Sequence, residues 1–169
     1  RNVYSVWAFP PADVSARLKK LMQGLRSEFG GPTFDPHVTV VGAITLTETE
    51  ALDLFNRASA GLKPYTAAVE GVSSGNFFYQ CVFLKVNPSQ EVLDASSHCC
   101  DVFGYQNSSP YMPHLSLLYG DLSEEAKKSA QTKAYEIDDT INSLNFQIQS
   151  IALYKTDTED KSCESWERV

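Results

Sequence analysis

Histidine, cysteine and positive charge are all scarce in this sequence, and each scarcity excludes something. Only four of the 169 residues are cysteine: Cys81, Cys99, Cys100 and Cys163. They form no CxxC pair and are too sparse for a disulfide scaffold. Free or partly paired thiols in a reducing compartment are expected, and with them a cytoplasmic location. No apolar run approaches the length of a membrane span, and no charged-then-apolar segment opens the chain. The chain opens at Arg1 rather than Met, which leaves room for a removed leader or tag. Lysine and arginine number 14 against 21 acidic residues, a net charge of −7. Proteins that grip long nucleic acid carry a basic patch or stripe. None is visible, and Lys19-Lys20 and Lys127-Lys128 read as solvated helix faces. No long nucleic acid and no membrane are expected as partners, and a phosphate-bearing substrate would be small and locally held.

Histidine occurs three times, and two of the three sit in one repeated frame. The first copy is Phe34-Asp35-Pro36-His37-Val38-Thr39-Val40, and the second is Tyr111-Met112-Pro113-His114-Leu115-Ser116-Leu117. Each reads aromatic, any residue, proline, histidine, aliphatic, hydroxyl, aliphatic. The alternation after each histidine is that of a half-buried strand. With a side-chain period of two, His37 and Thr39 share one face, as do His114 and Ser116, and the aliphatics anchor the other. Proline at a strand start costs little, because its missing N–H is not needed there. One histidine on a strand is most often structural. Two copies, each with a hydroxyl two residues on, are not explained by packing.

The surrounding chain reads as alternating strands and helices. Val3 to Phe9 is a strand, Asp13 to Phe29 a helix closed by Gly30-Gly31-Pro32, and His37 to about Ile44 the first histidine strand. Thr47 to Glu50 is a capping box opening a helix to about Ala60, and Tyr65 to Ser73 is a strand. Ser74-Gly75-Asn76 signals a turn, followed by a strand from Phe77 to Val86 and a helix from Pro88 that carries Val92, Leu93, Cys99, Val102 and Phe103. A loop over Gly104 to Pro113 leads to the second histidine strand, His114 to about Tyr119. Ser123 caps a helix to about Ile137, Leu144 to Tyr154 is one strand, and after a polar turn Cys163 to Val169 closes a hairpin. The pattern is a β-α-β-α-β unit used twice, over about 3–73 and 76–155, each with its histidine on the middle strand. The chain suits a single domain of two tightly joined lobes. Related by a two-fold, the lobes would turn both histidine faces toward one central cleft.

Two imidazoles and two hydroxyls without an acidic cluster suit metal-free phosphoester chemistry, and no metal or other cofactor is expected. One imidazole would take a proton from water and the other give one to the leaving alkoxide, tasks suited to a pKa of about 6.5. Thr39 and Ser116 would aim at the non-bridging phosphate oxygens. No GxSxG elbow surrounds Ser116, against a serine-hydrolase reading. A zinc site from His37, His98 and His114 is disfavoured, and contiguous His98-Cys99-Cys100 on a helix would point apart. His98 is expected on a helix surface.

The paired motifs resemble those of the two-histidine phosphoesterases, the LigT-like superfamily. Pro113 to Tyr119 and Tyr154-Lys155-Thr156-Asp157 are similar to its plant cyclic phosphodiesterase branch, and the likeness spans essentially the whole chain. The resemblance implies a two-lobed antiparallel α+β fold that opens cyclic phosphates without metal. In the plant-type members the substrates are ADP-ribose 1″,2″-cyclic phosphate, a by-product of tRNA splicing, and nucleoside 2′,3′-cyclic phosphates. It further implies that His37 and His114 are the catalytic pair, that Thr39 and Ser116 bind phosphate, and that Tyr119 lines the site. Trp7 is expected as a ring for base stacking. By the same analogy His114 is the base and His37 the acid. A monomer is expected. The rival readings are an RNA-end-processing phosphodiesterase or 2′–5′ ligase of the same superfamily, and a non-catalytic nucleotide-binding module.

Overall fold

The computed structural model describes residues 1–106 and 110–169; the middle of the loop expected over Gly104 to Pro113 lies outside the described residues. Thirteen short-range decisions in the sequence become strands β1 (Asn2–Phe9), β2 (Val38–Leu46), β3 (Tyr65–Phe77), β4 (Gln80–Val86), β5 (His114–Leu118), β6 (Asn145–Ile148), β7 (Ser150–Lys155) and β8 (Glu167–Arg168), helices α1 (Ala12–Phe29), α2 (Glu48–Ala60), α3 (Gln90–Phe103) and α4 (Glu124–Ile137), and a 3-10 turn at Ile141–Ser143. The helix starts follow their caps. Thr47 and Glu50 form the reciprocal capping box, while Ser89 and Ser123 accept from the N–H groups of Val92 and Ala126.

The strands lie in the order β6-β3-β4-β5-β2-β1-β7-β8, every neighbouring pair antiparallel. The helices cover one face. Val6, Val38, Val40, Leu84, Leu115 and Leu117 from the strands pack there with Leu18, Leu21, Met22 and Leu25 of α1 in one continuous core. Each such side chain withdrawn from water contributes about 1.5–3 kcal/mol. The opposite face is concave and carries the histidines.

The sheet is two four-stranded halves that meet at a single paired position, Val38 opposite Leu115. These halves do not coincide with the two sequence units. β3, from the first unit, pairs with β4 and β6, whereas β7, from the second, pairs with β1. That exchange explains one correction. The single strand expected over Leu144 to Tyr154 breaks at Gln149, because β6 and β7 belong to opposite halves of the sheet. The other corrections are local. The expected C-terminal strand shrinks to Glu167–Arg168, since the loop before it is held by its own bonds: Asp160 accepts from the N–H and hydroxyl groups of both Ser162 and Ser165.

The turn expected at Ser74-Gly75-Asn76 lies instead inside β3, and the chain reverses at Phe78-Tyr79. The pairing register with β4 slips between Ser74 and Phe77, the mark of a bulge. A Cβ on Gly75 would stand 2.3 Å from the backbone oxygen of Gln80, so only glycine allows this approach. Gly75→Ala should therefore destabilise the fold by about 1–3 kcal/mol, the cost of forcing atoms into a filled site. Urea unfolding checks this, and a midpoint equal to that of the parent chain would contradict it.

Candidate active site

The Val38–Leu115 pair places the four motif side chains. Carrying that antiparallel register one residue each way sets His37 beside Ser116, and Thr39 beside His114. With Val38 and Leu115 in the core, the period of two turns all four toward the concave face. Each imidazole thus has the other motif's hydroxyl as its cross-strand neighbour.

The rings are oriented identically. His37 Nδ1 donates to the Asp35 carbonyl at 2.7 Å, and His114 Nδ1 donates to the Met112 carbonyl at 2.9 Å. Both acceptors immediately precede a proline, whose presence restricts the backbone before it to extended conformations. The proline in each motif therefore presets the carbonyl that holds the imidazole. With Nδ1 protonated by this bond, Nε2 is the atom left to exchange protons in the cleft.

The leading aromatics cross between halves. Phe34 stacks on Tyr119 at 3.8 Å, and Tyr111 donates its hydroxyl to the Thr39 carbonyl at 2.7 Å. Ahead of Phe34, a Cβ on Gly31 would lie 2.6 Å from the Tyr119 carbonyl, so that glycine lets the approach to His37 rest directly on the second half.

Despite the matched motifs, the environments differ. His37 is 4% exposed and lies flat on Trp7, ring centres 3.5 Å apart and planes 6° from parallel. His114 is half-buried and meets Phe83 at 5.0 Å and a 60° tilt. Burial is the main cause that lowers the pKa of both. His37 falls to about 3, its carbonyl partner opposing the shift and the nearby His114 adding to it.

All six expected site residues line one cavity of about 630 Å³, a volume suited to a small ligand. Trp7 corrects its expected role. The ring is buried, with His37 on it at 3.5 Å and Tyr154 at 4.0 Å, so it serves the histidine rather than offering a free face to a base. Tyr119 is buried at the cavity wall, where desolvation raises its pKa and keeps the phenol neutral. Sequence reading missed Ser5 and Thr156, whose hydroxyls meet at 2.8 Å in the same cavity, and Tyr79 and Trp166, which reach it from a turn and from the C-terminal loop. Ser5 had a signal, being on the face of β1 that Trp7 occupies. Tyr79 and Trp166 had none. No charged side chain lines the cavity among the described residues.

His98 lies elsewhere. Its Nε2 donates to the Ala58 carbonyl at 2.9 Å, tying α3 to α2, so the three histidines do not converge. Among the described residues no three of His, Cys, Asp and Glu are grouped to hold a metal ion. All four cysteines are buried and free. No helix among the described residues is long and apolar enough to cross a membrane.

Residues 3–168 match the model of the family described as cyclic phosphodiesterase-like protein. The chain belongs to that family. It is 53% identical over its full length to a cyclic phosphodiesterase of Arabidopsis thaliana, covering 93% of that protein. A 2′,3′-cyclic-nucleotide 3′-phosphodiesterase of Yarrowia lipolytica is 24% identical, with 82% of this chain and 83% of the yeast protein aligned. Among solved structures, E. coli LigT in its apo form superposes with a TM-score of 0.65 over 99% of this chain and 94% of its own, at 14% identity. This cyclic phosphodiesterase-like chain therefore has the LigT fold, the α+β architecture of the two-histidine phosphoesterases, and is by family an enzyme of the phosphodiesterase class.

Membership adds no detail to the electrostatics, which make their own prediction. Unfolded, His37 takes up a proton near pH 6.5; folded, it resists until about pH 3. Between those values the unfolded chain binds more protons, so acidification through that window destabilises the fold. The melting temperature should fall more steeply from pH 7 to pH 4.5 in the parent than in His37→Gln. Parallel slopes would show that His37 is not buried neutral.

Proposed function

We propose that this protein hydrolyses small cyclic phosphodiesters without a metal ion, taking nucleoside 2′,3′-cyclic phosphates and ADP-ribose 1″,2″-cyclic phosphate as substrates. Turnover of the latter would give it a part in clearing a by-product of tRNA splicing. The observation that carries the reading is the cross-strand quartet of two imidazoles and two hydroxyls in one neutral cavity. A cyclic phosphodiester carries one negative charge, which neutral donors and one imidazolium can meet. The absence of lysine and arginine from the described lining gives no support to a long RNA groove. Both halves of the site come from one chain, so a monomer suffices.

In the reaction, water attacks phosphorus on the side away from one ring oxygen. His114 Nε2, the better exposed of the two, takes the water proton. The P–O bond to the ribose oxygen breaks, and that oxygen receives the proton carried by His37 Nε2. Thr39 and Ser116 donate to the non-bridging oxygens as charge builds on them. The product is a ribose monophosphate, and proton exchange with solvent resets both imidazoles.

The low pKa of His37 is that of a cavity without an anion. A phosphate charge within about 4–6 Å favours the imidazolium. The face of Trp7 favours it too, since a cation over an indole gains about 0.5–2 kcal/mol.

The direct test is phosphorus NMR of the products from a panel of cyclic phosphates with chelator present. A monoester formed from cyclic mononucleotides is expected, and turnover that vanishes in EDTA and returns with zinc would overturn the mechanism. His37→Ala and His114→Ala should each slow turnover by about 10²–10⁴, the range for a positioned acid or base. Near-parent rates would remove that histidine from the chemistry.

Activity should follow a bell-shaped pH profile whose alkaline limb reports the acid. Trp7→Leu should move that limb down by about 0.5–1 unit, because the imidazolium loses its π partner. An unmoved alkaline limb would assign the acid elsewhere.

A further inference from the structure

Four large apolar side chains stand exposed among the described residues: Leu52, Phe77, Met112 and Val169. Single exposed hydrophobics are ordinary on a protein surface. Here two of the four, Phe77 and Met112, open onto the same cavity that holds the histidines. Phe77 is 62% exposed, far more than any of the others. Two buried aromatics of the cavity are covered by stacked rings, Trp7 by His37 and Tyr119 by Phe34, whereas among the described residues Phe77 enters no aromatic pair and keeps its ring open to solvent.

The tip that carries Phe77 is fastened on several sides. Lys127, itself buried, sends Nζ to the Gly75 carbonyl at 2.8 Å, and Gln131 Nε2 donates to Ser74 Oγ at 3.1 Å. Beyond the turn, the Phe78 carbonyl accepts from the Gly120 N–H at 3.1 Å, and the Tyr79 hydroxyl donates to the Thr158 carbonyl at 2.8 Å. The bulge at Gly75 re-aims the strand just before Phe77. A hairpin tip held this firmly, with one large ring left in water at a ligand cavity, is preorganised for a planar apolar partner.

We propose that Phe77 is the platform on which the nucleobase of the substrate stacks. The inference rests on the cyclic-phosphodiesterase reading and deepens it: the motifs take the phosphate, and the base lies at the lip on Phe77. Every base offers a π face, so stacking discriminates little between bases while adding affinity for any of them.

Phe77→Ala and Phe77→Trp test this on 2′,3′-cyclic AMP, 2′,3′-cyclic UMP and glycerol 1,2-cyclic phosphate, which presents the same five-membered ring without a base. In Phe77→Ala the KM for both nucleotides should rise roughly 5- to 100-fold, the range for loss of one base–aromatic stack. Its kcat should change less than about two-fold, since ground and transition states lose the contact alike. The KM for glycerol 1,2-cyclic phosphate should be unchanged, and Phe77→Trp should keep the nucleotide KM at or below that of the parent. A KM that rises equally for all three substrates, or for none, would overturn the platform while leaving the phosphodiesterase reading intact. A parent protein that opens none of the three would remove that reading, and the platform with it.

Discussion

The site depends on one pair of opposed residues, Val38 and Leu115, where the two halves of the sheet touch. An antiparallel pair at that position forces the residues on either side into a crossed arrangement: His37 beside Ser116, and Thr39 beside His114. Neither motif alone holds an imidazole next to a hydroxyl from another strand. The core beneath secures the arrangement, because a one-residue slip would turn Val38 and Leu115 to water and bury the polar side chains instead. The crossing aromatics lock the same joint from above, Phe34 against Tyr119 and Tyr111 on the Thr39 carbonyl.

Within this near-symmetry the two histidines are set apart by what lies on them. His37 is enclosed and stacked parallel to Trp7, while His114 is half-buried and, among the described residues, has only the tilted ring of Phe83 as an aromatic partner. A base that must capture a proton from water benefits from that partial exposure. An acid that must protonate a leaving oxygen benefits from enclosure, provided its cation is supported once the anion arrives. Burial opposes that support and the indole face favours it. In the proposed reaction a bound phosphodiester would tip the balance, coupling protonation of His37 to the presence of substrate.

Much of the fold and of the cavity lining was legible in the sequence, and the reasons are local. The motifs betrayed themselves because a strand of period two with a fixed histidine–hydroxyl spacing is a short-range pattern, and because it occurs twice. The capping box at Thr47 and the cap at Ser123 located helices for the same reason. What escaped notice was non-local. That β3 and β7 exchange halves of the sheet depends on packing between segments far apart in the chain, and a run such as Leu144 to Tyr154 carries no mark of the break at Gln149. Gly75 looked like a turn because glycine serves both turns and bulges, and only its closeness to the Gln80 carbonyl distinguishes them. Trp7 read as a free stacking ring, since strand alternation shows its face but not the imidazole lying on it. Phe77 and Trp166 gave no signal at all, for each reaches the cavity through the path of a loop or tip.

The claim at the centre of this account is that His37 and His114, from opposite halves of the sheet, act on one phosphate. A double-mutant cycle on turnover of a 2′,3′-cyclic nucleotide tests it most directly. Residues that act as a unit are strongly non-additive. The His37→Ala/His114→Ala protein should therefore lose far less than the product of the two single losses, approaching the slower single variant. Losses that simply multiply would contradict the account, because they would mean that the two histidines work independently.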